Sequence, residues 1–596
     1  MIDPIVRSAV FPEPELPDSR EFIDRGKALA KTWGIGHSEF LQANGCSSEA
    51  EYKRFHIRSG RIMQHAQIGY RDPSRSLAAC SEIYESCLAR GVTVDRYGIC
   101  LDWSMGFPEK IRKSRMKGTG LILEKTEDFV SLSNAAPVAS HYGDFVLGFP
   151  AALENTRHAL SAGATSIGNL GQYFTFRLPN WEEDVTTTAS TISALALMAA
   201  QPAEVLVHSN LDDGFAAVFQ DLACALGIVL IETYLVEDLL GGTVSHCYGH
   251  HYSTPVVRHA FHKALSRISH RPGTMVYGNT VAYQGTDAQN YASLAGYLLV
   301  DIQAQRETPS GHAINPVPVT ENQRIPDIGE IVDAQLFAHR MVEQSLAFQP
   351  VTDSTGVDHT VERLVAGAQQ FKNNLMAGFE NGGIDIHDPL EMFLAIRRIG
   401  GKKLEQLYGP GRFDPGMRKR CSIVLSDTVR SIDRAVERNL ERLEGFDSNQ
   451  LSGSRLKIIV ATTDVHEHGK MLIEGIFGRL GISVIDGGVS TDPRTLAKTA
   501  EDRDADAIAL STYNGVALTY FQQLKDELVE AGTDIPVLIG GRLNEIPAET
   551  DTSLPRDVTS DLEALGAVVC RHFHDAVPCL AELAQTGKNR QPGMPP

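Results

Sequence analysis

Residues able to bind a metal ion follow a predicted strand near the end of the chain. Asp464 and His466 stand two positions apart, and Gly469 comes next. A neutral imidazole on a loop can be a transition-metal ligand. A carboxylate two residues earlier can accept a hydrogen bond from the other ring nitrogen and fix the tautomer. These residue types are therefore compatible with a metal-binding loop.

Two further polar or glycine-rich segments end predicted strands in the same region. Ser511 ends one strand and Thr512 follows it in the loop, and another strand ends in Gly540 and Gly541. Paired glycines leave the backbone bare, so that a bulky group can lie against it. The region alternates strands and helices like a flavodoxin-like doubly wound (Rossmann-type) domain, in which ligands bind at the carboxyl ends of the strands. Strands are predicted at 457–461, 482–486, 507–511, 537–540 and 567–570, and helices at His468–Leu480, 493–501 and 519–531.

In order and spacing these residues resemble the cobalamin-binding signature DxHxxG…SxL…GG of B12-dependent mutases and methionine synthase. The resemblance implies that His466 is the lower axial ligand of cobalt and that Asp464 is its hydrogen-bond partner. It also implies that Gly469 turns the chain into the following helix, and that the nucleotide tail of the cofactor passes the residues at the other two strand ends, namely Ser511, Thr512, Gly540 and Gly541. Tyr513 departs from the signature, which has Leu at this position.

An earlier part of the chain repeats a short strand, a turn and an amphipathic helix. Eight such repeats predict an α/β fold with a (β/α)8 TIM barrel, although an open doubly wound sheet gives the same alternation. The predicted strands are 97–103, 137–141, 164–168, 205–209, 228–233, 274–278, 297–303 and 313–319. The clearer predicted helices are 155–162, 185–200, 214–226 and 256–269.

The predicted domains follow from these patterns. They are an N-terminal helical extension over 1–95, a catalytic barrel over 96–345, a helical connector over 346–452, a cobalamin-binding domain over 453–587 and a disordered tail over 588–596.

A barrel followed by a B12 domain resembles the adenosylcobalamin-dependent carbon-skeleton mutases, and the barrel phrases are most similar to the catalytic subunit of glutamate mutase. The resemblance implies that Glu321 contacts the adenosyl ribose and that Gln303 belongs to the seventh strand's phrase and the active site. The matching segments are 171–179, 242–244, 277–279 with Asp287, 303–305, 318–321 and 325–326.

Departures from glutamate mutase lie at the positions that a glutamate substrate needs. The segment 168–170 replaces the acid/base glutamate, His141 replaces a carboxylate-binding arginine, and Val317 replaces a lysine near the adenosyl group. We therefore expect a small organic acid or related metabolite other than glutamate as the substrate.

Three further groups are candidates at the predicted substrate face. His141 could orient a polar group of the substrate or be a satisfied buried imidazole. Glu232, at the end of a predicted strand, could be a base or a partner in a structural salt bridge. The histidines His246, His250 and His251 could bind zinc or substrate, but a polar loop is the preferred interpretation because usual ligand partners are missing at zinc spacing.

Composition restricts the partners rather than the chemistry. The chain has 596 residues, with 55 Lys+Arg against 74 Asp+Glu and a net charge of −19. That charge argues against nucleic acid and anionic membranes as partners. Nine cysteines without a CxxC pair argue against a disulfide framework, and no secretory pattern begins the sequence. We expect a cytoplasmic homodimer that acts on a small molecule.

The sequence thus predicts an adenosylcobalamin-dependent radical isomerase. Two alternatives stay open. One is a corrinoid-dependent methyltransferase. Methionine synthase places a helical cap before its B12 domain, and a predicted helical connector precedes the B12 domain in this chain. The other is a non-catalytic B12-binding protein, since a fold does not establish activity.

Overall fold

The computed structural model describes residues 5–115, 117–179, 181–252, 254–415, 419–443, 451, 456–464, 467–513, 515–546 and 555–587. The chain forms two compact units. The first comprises Met1–Thr175 and Glu182–Asp427, and the second comprises Phe176–Trp181 and Thr428–Pro596. His466 and the predicted tail lie outside the described residues.

The first unit alternates strands and helices along most of its length. Its parallel strands are β1 (His65–Ile68), β2 (Arg96–Ile99), β3 (Ala139–Tyr142), β4 (Ser166–Ile167), β5 (Leu206–Asn210), β6 (Thr243–Cys247), β7 (Met275–Val276) and β8 (Ala313–Ile314), and an antiparallel pair is formed by β9 (Phe413–Asp414) and β10 (Lys419–Arg420). Its helices are α1 (Arg7–Val10), α2 (Ser19–Leu29), α3 (Glu39–Asn44), α4 (Glu49–Ser59), α5 (Pro73–Leu88), α6 (Glu109–Arg112), α7 (Thr126–Ser133), α8 (Ala152–Ser161), α9 (Gly171–Thr175), α10 (Asp184–Ala199), α11 (Leu222–Thr233), α12 (Pro255–Ile268), α13 (Asp287–Glu307), α14 (Ile328–Phe348), α15 (Thr355–Asn381), α16 (Pro389–Ile399) and α17 (Gly401–Tyr408). Short 3-10 or π turns lie at Trp103–Gly106, Phe215–Ala217, Tyr234–Leu239, Thr280–Ala282 and Gln349–Val351.

Parallel pairing connects the eight strands β1 to β8 of this unit. Strands β1 to β6 form one sheet in chain order, and β7 pairs with β8. Single parallel bridges join Tyr248, just after β6, to Val276 on β7, and Gln64, just before β1, to Ile314 on β8. Pairing therefore runs from β1 to β8 and returns to β1, which places the carboxyl ends of the eight strands at one edge.

Polar side chains from several of these strands meet around Arg96. Its guanidinium donates to Ser166 Oγ on β4 at 3.1 Å, and it lies 3.4 Å from His65 Nδ1 on β1 and 3.6 Å from Met275 Sδ on β7. The carboxylate of Glu49, on α4, accepts from Arg96 Nε at 2.9 Å. A buried charge of this kind is tolerated because it is paired and hydrogen-bonded.

Two of the eight predicted strands are wrong, and two of the eight parallel strands were not predicted. Segment 228–233 lies in α11, and segment 297–303 lies in α13. Helix α11 is buried almost throughout because α15 packs on it, and periodicity does not distinguish a fully buried helix from a buried strand. Strand β1 lies within the predicted N-terminal extension, and it and β6 were missed because both contain histidine and other polar residues on buried strands.

The predicted connector is helical, and most of it belongs to the first unit. Helix α15 packs on α11 and α12, and α16 packs on α9 and α10. Asp388 begins α16 by accepting from the backbone N–H of Leu390 and Glu391, with Pro389 in the first turn, as expected of an N-cap followed by proline. Within the described residues, no helix combines the length and hydropathy needed to cross a bilayer.

The second unit contains the predicted doubly wound domain. Its parallel sheet has the order β12-β11-β13-β14-β17, which is the 2-1-3-4-5 order of flavodoxin-like folds. All five strands and all three helices predicted for this domain are confirmed. The strands are β11 (Lys457–Thr462), β12 (Ser483–Asp486), β13 (Ala507–Thr512), β14 (Val537–Gly541) and β17 (Val568–Cys570), with a small hairpin of β15 (Asn544–Glu545) and β16 (Arg556–Asp557). The helices are α18 (Asp427–Arg442), α19 (His468–Leu480), α20 (Pro493–Arg503), α21 (Ala517–Glu530), α22 (Thr559–Ala564) and α23 (Val577–Gly587), with a 3-10 turn at Phe573–Ala576.

Apolar clusters cover both faces of this second sheet. One contains Ile459 and Ile508 with residues of α20 and α21, and the other contains Ile458 and Val460 with residues of α18 and α19. Strands buried on both faces explain the continuous apolar runs that made this domain predictable.

Candidate functional site

Asp464 connects the loop after β11 to the end of β13. Its carboxylate is buried, and Oδ2 accepts from the backbone N–H of Tyr513 at 2.8 Å and from Thr463 Oγ1 at 3.2 Å. The loop is also tied directly to β13, because Thr463 N donates to Ser511 O at 3.0 Å. The hydrogen bond between Asp464 and His466 stays a prediction, since His466 lies outside the described residues.

Gly469 lies directly against the end of β13. A Cβ at this position would overlap the hydroxyl of Ser511, so a larger residue at the start of α19 would require the Ser511 side chain to move. The structure therefore brings the predicted residues Gly469 and Ser511 together. The next residue, Thr512, is buried, and its Oγ1 has no hydrogen-bond partner within the described part of the chain.

Gly540 and Gly541 pair with Ser511 and Thr512 across the sheet. A Cβ at Gly540 would lie 2.8 Å from the carbonyl oxygen of Cys570, and Gly541 has φ +104, a conformation that favours glycine. The four predicted residues thus form one bare backbone edge at the carboxyl ends of β13 and β14.

This edge, which we call the glycine edge (Ser511, Thr512, Gly540 and Gly541), fits a corrinoid ligand. The two glycines present main chain without side chains, and the buried Thr512 hydroxyl is available for a hydrogen bond. A buried polar group without a partner is costly unless a ligand or water satisfies it. Asp464, which lies beside the same strand ends, adds a carboxylate able to orient a histidine ligand.

Two residues at the glycine edge were not singled out as ligands from the sequence. The guanidinium of Arg542 lies 4.3 Å from the ring centroid of Tyr513, and Arg542 N donates to Thr512 O at 2.8 Å. The signal for this pair was the departure of Tyr513 from the cobalamin signature, together with the cation that directly follows the paired glycines.

Lys470 anchors the first turn of α19 to β12. It is 2% exposed, and its Nζ lies 2.5 Å from Glu474 and 2.8 Å from Asp486. Burial lowers the pKa of Lys470, but the attraction of the two carboxylates outweighs it and the net shift is upward. The ammonium therefore stays charged and holds the start of this helix against the sheet.

Glu232 and Gln303 do not lie at strand ends in the first unit. Glu232 is on α11, where its Oε2 lies 2.8 Å from His246 Nε2 and its Oε1 accepts from Ser209 Oγ at 3.0 Å. Gln303 is on α13 and donates to the carbonyl oxygen of Ser345 at 2.8 Å. The predicted positions of both residues are wrong because the segments that contain them are helices.

His141 is placed on a strand as predicted, in β3. Its Nδ1 lies 3.2 Å from Ser166 O, and its ring centroid is 4.3 Å from that of His208 on β5. Burial and, to a lesser extent, the charge of Arg96 lower the pKa values of His141 and His208 well below the usual range of histidine. Both rings are therefore neutral at pH 7, and each can donate one hydrogen bond and accept another.

Two carboxylates follow β3 and β5 at the same edge, and we call them the carboxylate pair (Asp144 and Asp213). The amide nitrogen of Asn169 donates to Asp144 Oδ1 at 3.2 Å and to Asp213 Oδ2 at 2.8 Å. Asn210 also donates to Asp213 Oδ2 at 2.9 Å. Burial and the neighbouring Asp144 raise the pKa of Asp213 to about 8, and burial raises that of Asp144.

The carboxylate pair was missed from the sequence, although a signal was present. Asp144 and Asp213 come three and four positions after the predicted strands 137–141 and 205–209, and barrel chemistry occurs at such strand ends. Only the fold shows that the two acids share one amide, because five helices and strands lie between them in the chain.

Glu321 belongs to the electrostatic surroundings of this pair. Burial raises the pKa of the Cys100 thiol to about 12, and the charges of Asp144 and Glu321 add to that shift. Burial also raises the pKa of Tyr277, with further contributions from Cys100, the carboxylate pair and Glu321. His250 lies against Tyr277, with ring centroids 4.6 Å apart. Glu321 thus follows β8 near the carboxyl ends of the other strands, and its contact with a ribose stays a prediction.

Comparison with known proteins supports cobalamin as the ligand of the second unit. The model of the B12 binding domain family matches residues 455–558. The methylmalonyl-CoA mutase large subunit of Streptomyces virginiae is 29% identical over 150 residues, covering 25% of this chain and 20% of the relative. The probable methylmalonyl-CoA mutase large subunit of Mycobacterium bovis is 30% identical over 181 residues, covering 30% and 22%.

Methionine synthase of Mycobacterium tuberculosis is also similar, at 27% identity over 160 residues, which covers 26% of this chain and 12% of that enzyme. The matches thus span less than a quarter of each curated relative. A crystal structure of a novel cobalamin-binding protein from Desulfitobacterium hafniense matches with a TM-score of 0.19 and 18% identity, over 26% of this chain and 80% of that one. The chain is therefore similar to cobalamin-dependent enzymes of two reaction types.

Proposed function

We propose that this protein is an adenosylcobalamin-dependent isomerase of the carbon-skeleton mutase type, similar to glutamate mutase, acting on a small organic acid other than glutamate. The second unit would hold the cofactor, and the first would bind the substrate in a (β/α)8 barrel. The closure of parallel pairing from β8 back to β1 supports the barrel, and strand carboxyl ends are the site of catalysis in that fold.

The cofactor would be held by Asp464, His466, Gly469 and the glycine edge, with His466 on cobalt and Glu321 toward the adenosyl ribose. When bound, adenosylcobalamin supplies a carbon radical that removes a hydrogen atom from the substrate. The protein's own residues then have to bind the substrate, exclude water and hold its polar groups in place.

The observation that favours an isomerase is the buried polar cluster at the strand ends of the first unit. Burial and the neighbouring Asp144 raise the pKa of Asp213 to about 8, so Asp213 can carry a proton near neutral pH. Oδ2 of Asp213 already accepts two amide hydrogen bonds, which leaves Oδ1 to carry the proton and donate to substrate. The neutral imidazole of His141, on β3, can bind a second polar group of the substrate.

Methyl transfer from methylcobalamin is the second candidate function, because the chain is similar to methionine synthase. A B12-binding protein without catalysis is the third. The absence of an acid/base glutamate at 168–170 keeps it open. We also propose that the protein is a cytoplasmic homodimer. Sedimentation of the full chain tests the dimer, which should have twice the mass of one 65.0 kDa chain.

Reconstitution of the full chain with each cofactor form distinguishes these functions. We expect adenosylcobalamin, but not methylcobalamin, to support conversion of an acid in a panel that includes glutamate and methylmalonyl-CoA, with a cobalt-linked radical signal in electron paramagnetic resonance. Glutamate should not react. Methyl transfer to a thiol or folate without adenosyl-dependent turnover would contradict the isomerase.

A matched pair of variants tests the role of the carboxylate pair. Asp213→Ala should lower kcat at least tenfold without changing the affinity for cobalamin, because it removes the O–H donor to the substrate. The matched control is Asp358→Ala, which removes an exposed acid of the same unit and should leave kcat unchanged. Equal activity of the two variants would place the substrate elsewhere.

A further inference from the structure

Arg542 is fixed at the glycine edge by two contacts. Its backbone N–H donates to Thr512 O, and its guanidinium stacks on the ring of Tyr513 at 4.3 Å. Tyr513 is itself fixed, since its N–H donates to the buried carboxylate of Asp464 at 2.8 Å. The position of the cation is therefore set by the same loops that form the cobalamin site.

The charge of Arg542 is not neutralised by a neighbour that the structure describes. No carboxylate of the described residues forms an ion pair with Arg542, whereas Lys470, on the same sheet, is paired with two. Stacking uses the face of a guanidinium and leaves its N–H groups directed outward in the plane. Those N–H groups match the geometry of phosphate oxygens, with which arginine forms bidentate hydrogen bonds.

The other groups at the glycine edge are neutral. Bare glycine backbone and the unpartnered Thr512 hydroxyl can hold sugar and base, but neither balances a negative charge. The nucleotide tail of cobalamin carries one such charge, on its phosphodiester. We propose that Arg542, positioned by Tyr513, binds the phosphodiester of the corrinoid nucleotide tail. This proposal rests on the cobalamin site of the proposed function.

Tyr513 is a positioning residue in this proposal. It stands where the cobalamin signature has Leu, and the Arg542 guanidinium lies over its ring. A Tyr513→Phe variant keeps the stack, and Tyr513→Leu removes it. Phosphate recognition should therefore survive the first substitution and weaken in the second.

Two corrinoids that differ by one phosphate provide the test. Cobinamide lacks the nucleotide tail, and cobinamide phosphate carries a terminal phosphate in its place. We expect the full wild-type chain to bind cobinamide phosphate about tenfold more tightly than cobinamide, the effect of one charge-assisted contact at a half-buried site. Titrations followed by corrinoid absorbance measure both dissociation constants.

Variants and salt then test whether Arg542 causes the preference for cobinamide phosphate. Arg542→Gln should reduce this preference to less than twofold. The control is Arg503, an exposed arginine at the carboxyl end of α20, and Arg503→Gln should leave the preference at about tenfold. Raising the salt concentration, or adding inorganic phosphate as a competitor, should reduce the wild-type preference but not that of Arg542→Gln. Circular dichroism spectra confirm that each variant is folded.

The outcomes separate this proposal from the proposed function. A full preference in Arg542→Gln, or an equal loss of affinity for both corrinoids, would overturn the role of Arg542 while cobalamin binding stands. Failure of the wild-type chain to bind cobalamin itself, titrated in the same way, would overturn the cobalamin site. Loss of the preference in Tyr513→Leu but not in Tyr513→Phe would support the stacked geometry.

Discussion

Replacement of Gly541 by alanine tests the conformation on which the glycine edge depends. Gly541 has φ +104, and an added Cβ would overlap the carbonyl oxygen of Thr512 and lie 3.1 Å from its nitrogen. Both atoms belong to the backbone of the adjacent strand, so no side-chain rotation relieves the overlap. We expect Gly541→Ala to destabilise the second unit and to separate the ends of β13 and β14.

The magnitude follows from two costs. Holding a residue with a Cβ at positive φ costs about 1–2 kcal/mol, and forcing an extra carbon into a packed site costs about 1–3 kcal/mol more. Gly481 provides the matched control, because it has φ +74 at the end of α19 but open space around a Cβ. Gly481→Ala should therefore lose only the first cost.

Calorimetric unfolding of the full chain measures the difference. The transition of the second unit is identified by its shift to higher temperature when cobalamin is added. The two variants should differ by about 2 kcal/mol, or about 4–8 °C in Tm for a unit of this size. Cobalamin affinity should fall in Gly541→Ala and be retained in Gly481→Ala. Equal Tm values and equal affinities would refute the steric reasoning.

Three further predictions concern buried polar side chains. Asp213 has a folded pKa of about 8 against about 3.9 when unfolded, so the wild-type protein loses stability as pH rises from 4 to 8. Asp213→Asn removes that loss, and its stability relative to wild type, measured by thermal unfolding, should increase between pH 5 and pH 8; an unchanged difference would contradict the raised pKa. Glu232→Ala should lower the free energy of unfolding by about 3 kcal/mol, because it leaves His246 buried without its partner; chemical denaturation measures this, and a change below the error would argue against a structural pair. Lys470→Met should destabilise the second unit by about 2 kcal/mol in the same assay, since the carboxylates of Glu474 and Asp486 lose their hydrogen-bonded cation, and an unchanged free energy of unfolding would argue against an anchoring role.

The second unit was the more predictable part of the chain. Strands such as β11 bury apolar residues on both faces, and the helices between the strands are amphipathic. Local pattern and tertiary burial therefore agree. The glycine edge could be predicted for the same reason, because its residues are defined by where those strands end. Its stacked Arg542 could not, since the distance between the two side chains depends on the register of β13 and β14.

The first unit was less predictable, and its strands β1 and β6 were missed because they carry polar residues. His65, Arg96 and His141 occupy buried strands and satisfy one another or nearby carbonyl groups, contrary to the apolar pattern expected of a parallel sheet. Conversely, helix α11 is apolar on nearly every face and was predicted in part as a strand. The carboxylate pair depends on the adjacency of β3, β4 and β5, which local sequence does not specify.

Transfer of hydrogen between cofactor and substrate tests the proposed isomerase most directly. The full chain is loaded with adenosylcobalamin carrying tritium on the 5′ carbon of its adenosyl group and incubated with the panel of organic acids. The proposed function predicts that tritium appears in one acid and its rearranged product, and that the transfer is lost in His466→Ala. Turnover or methyl transfer with no tritium in any acid would contradict it.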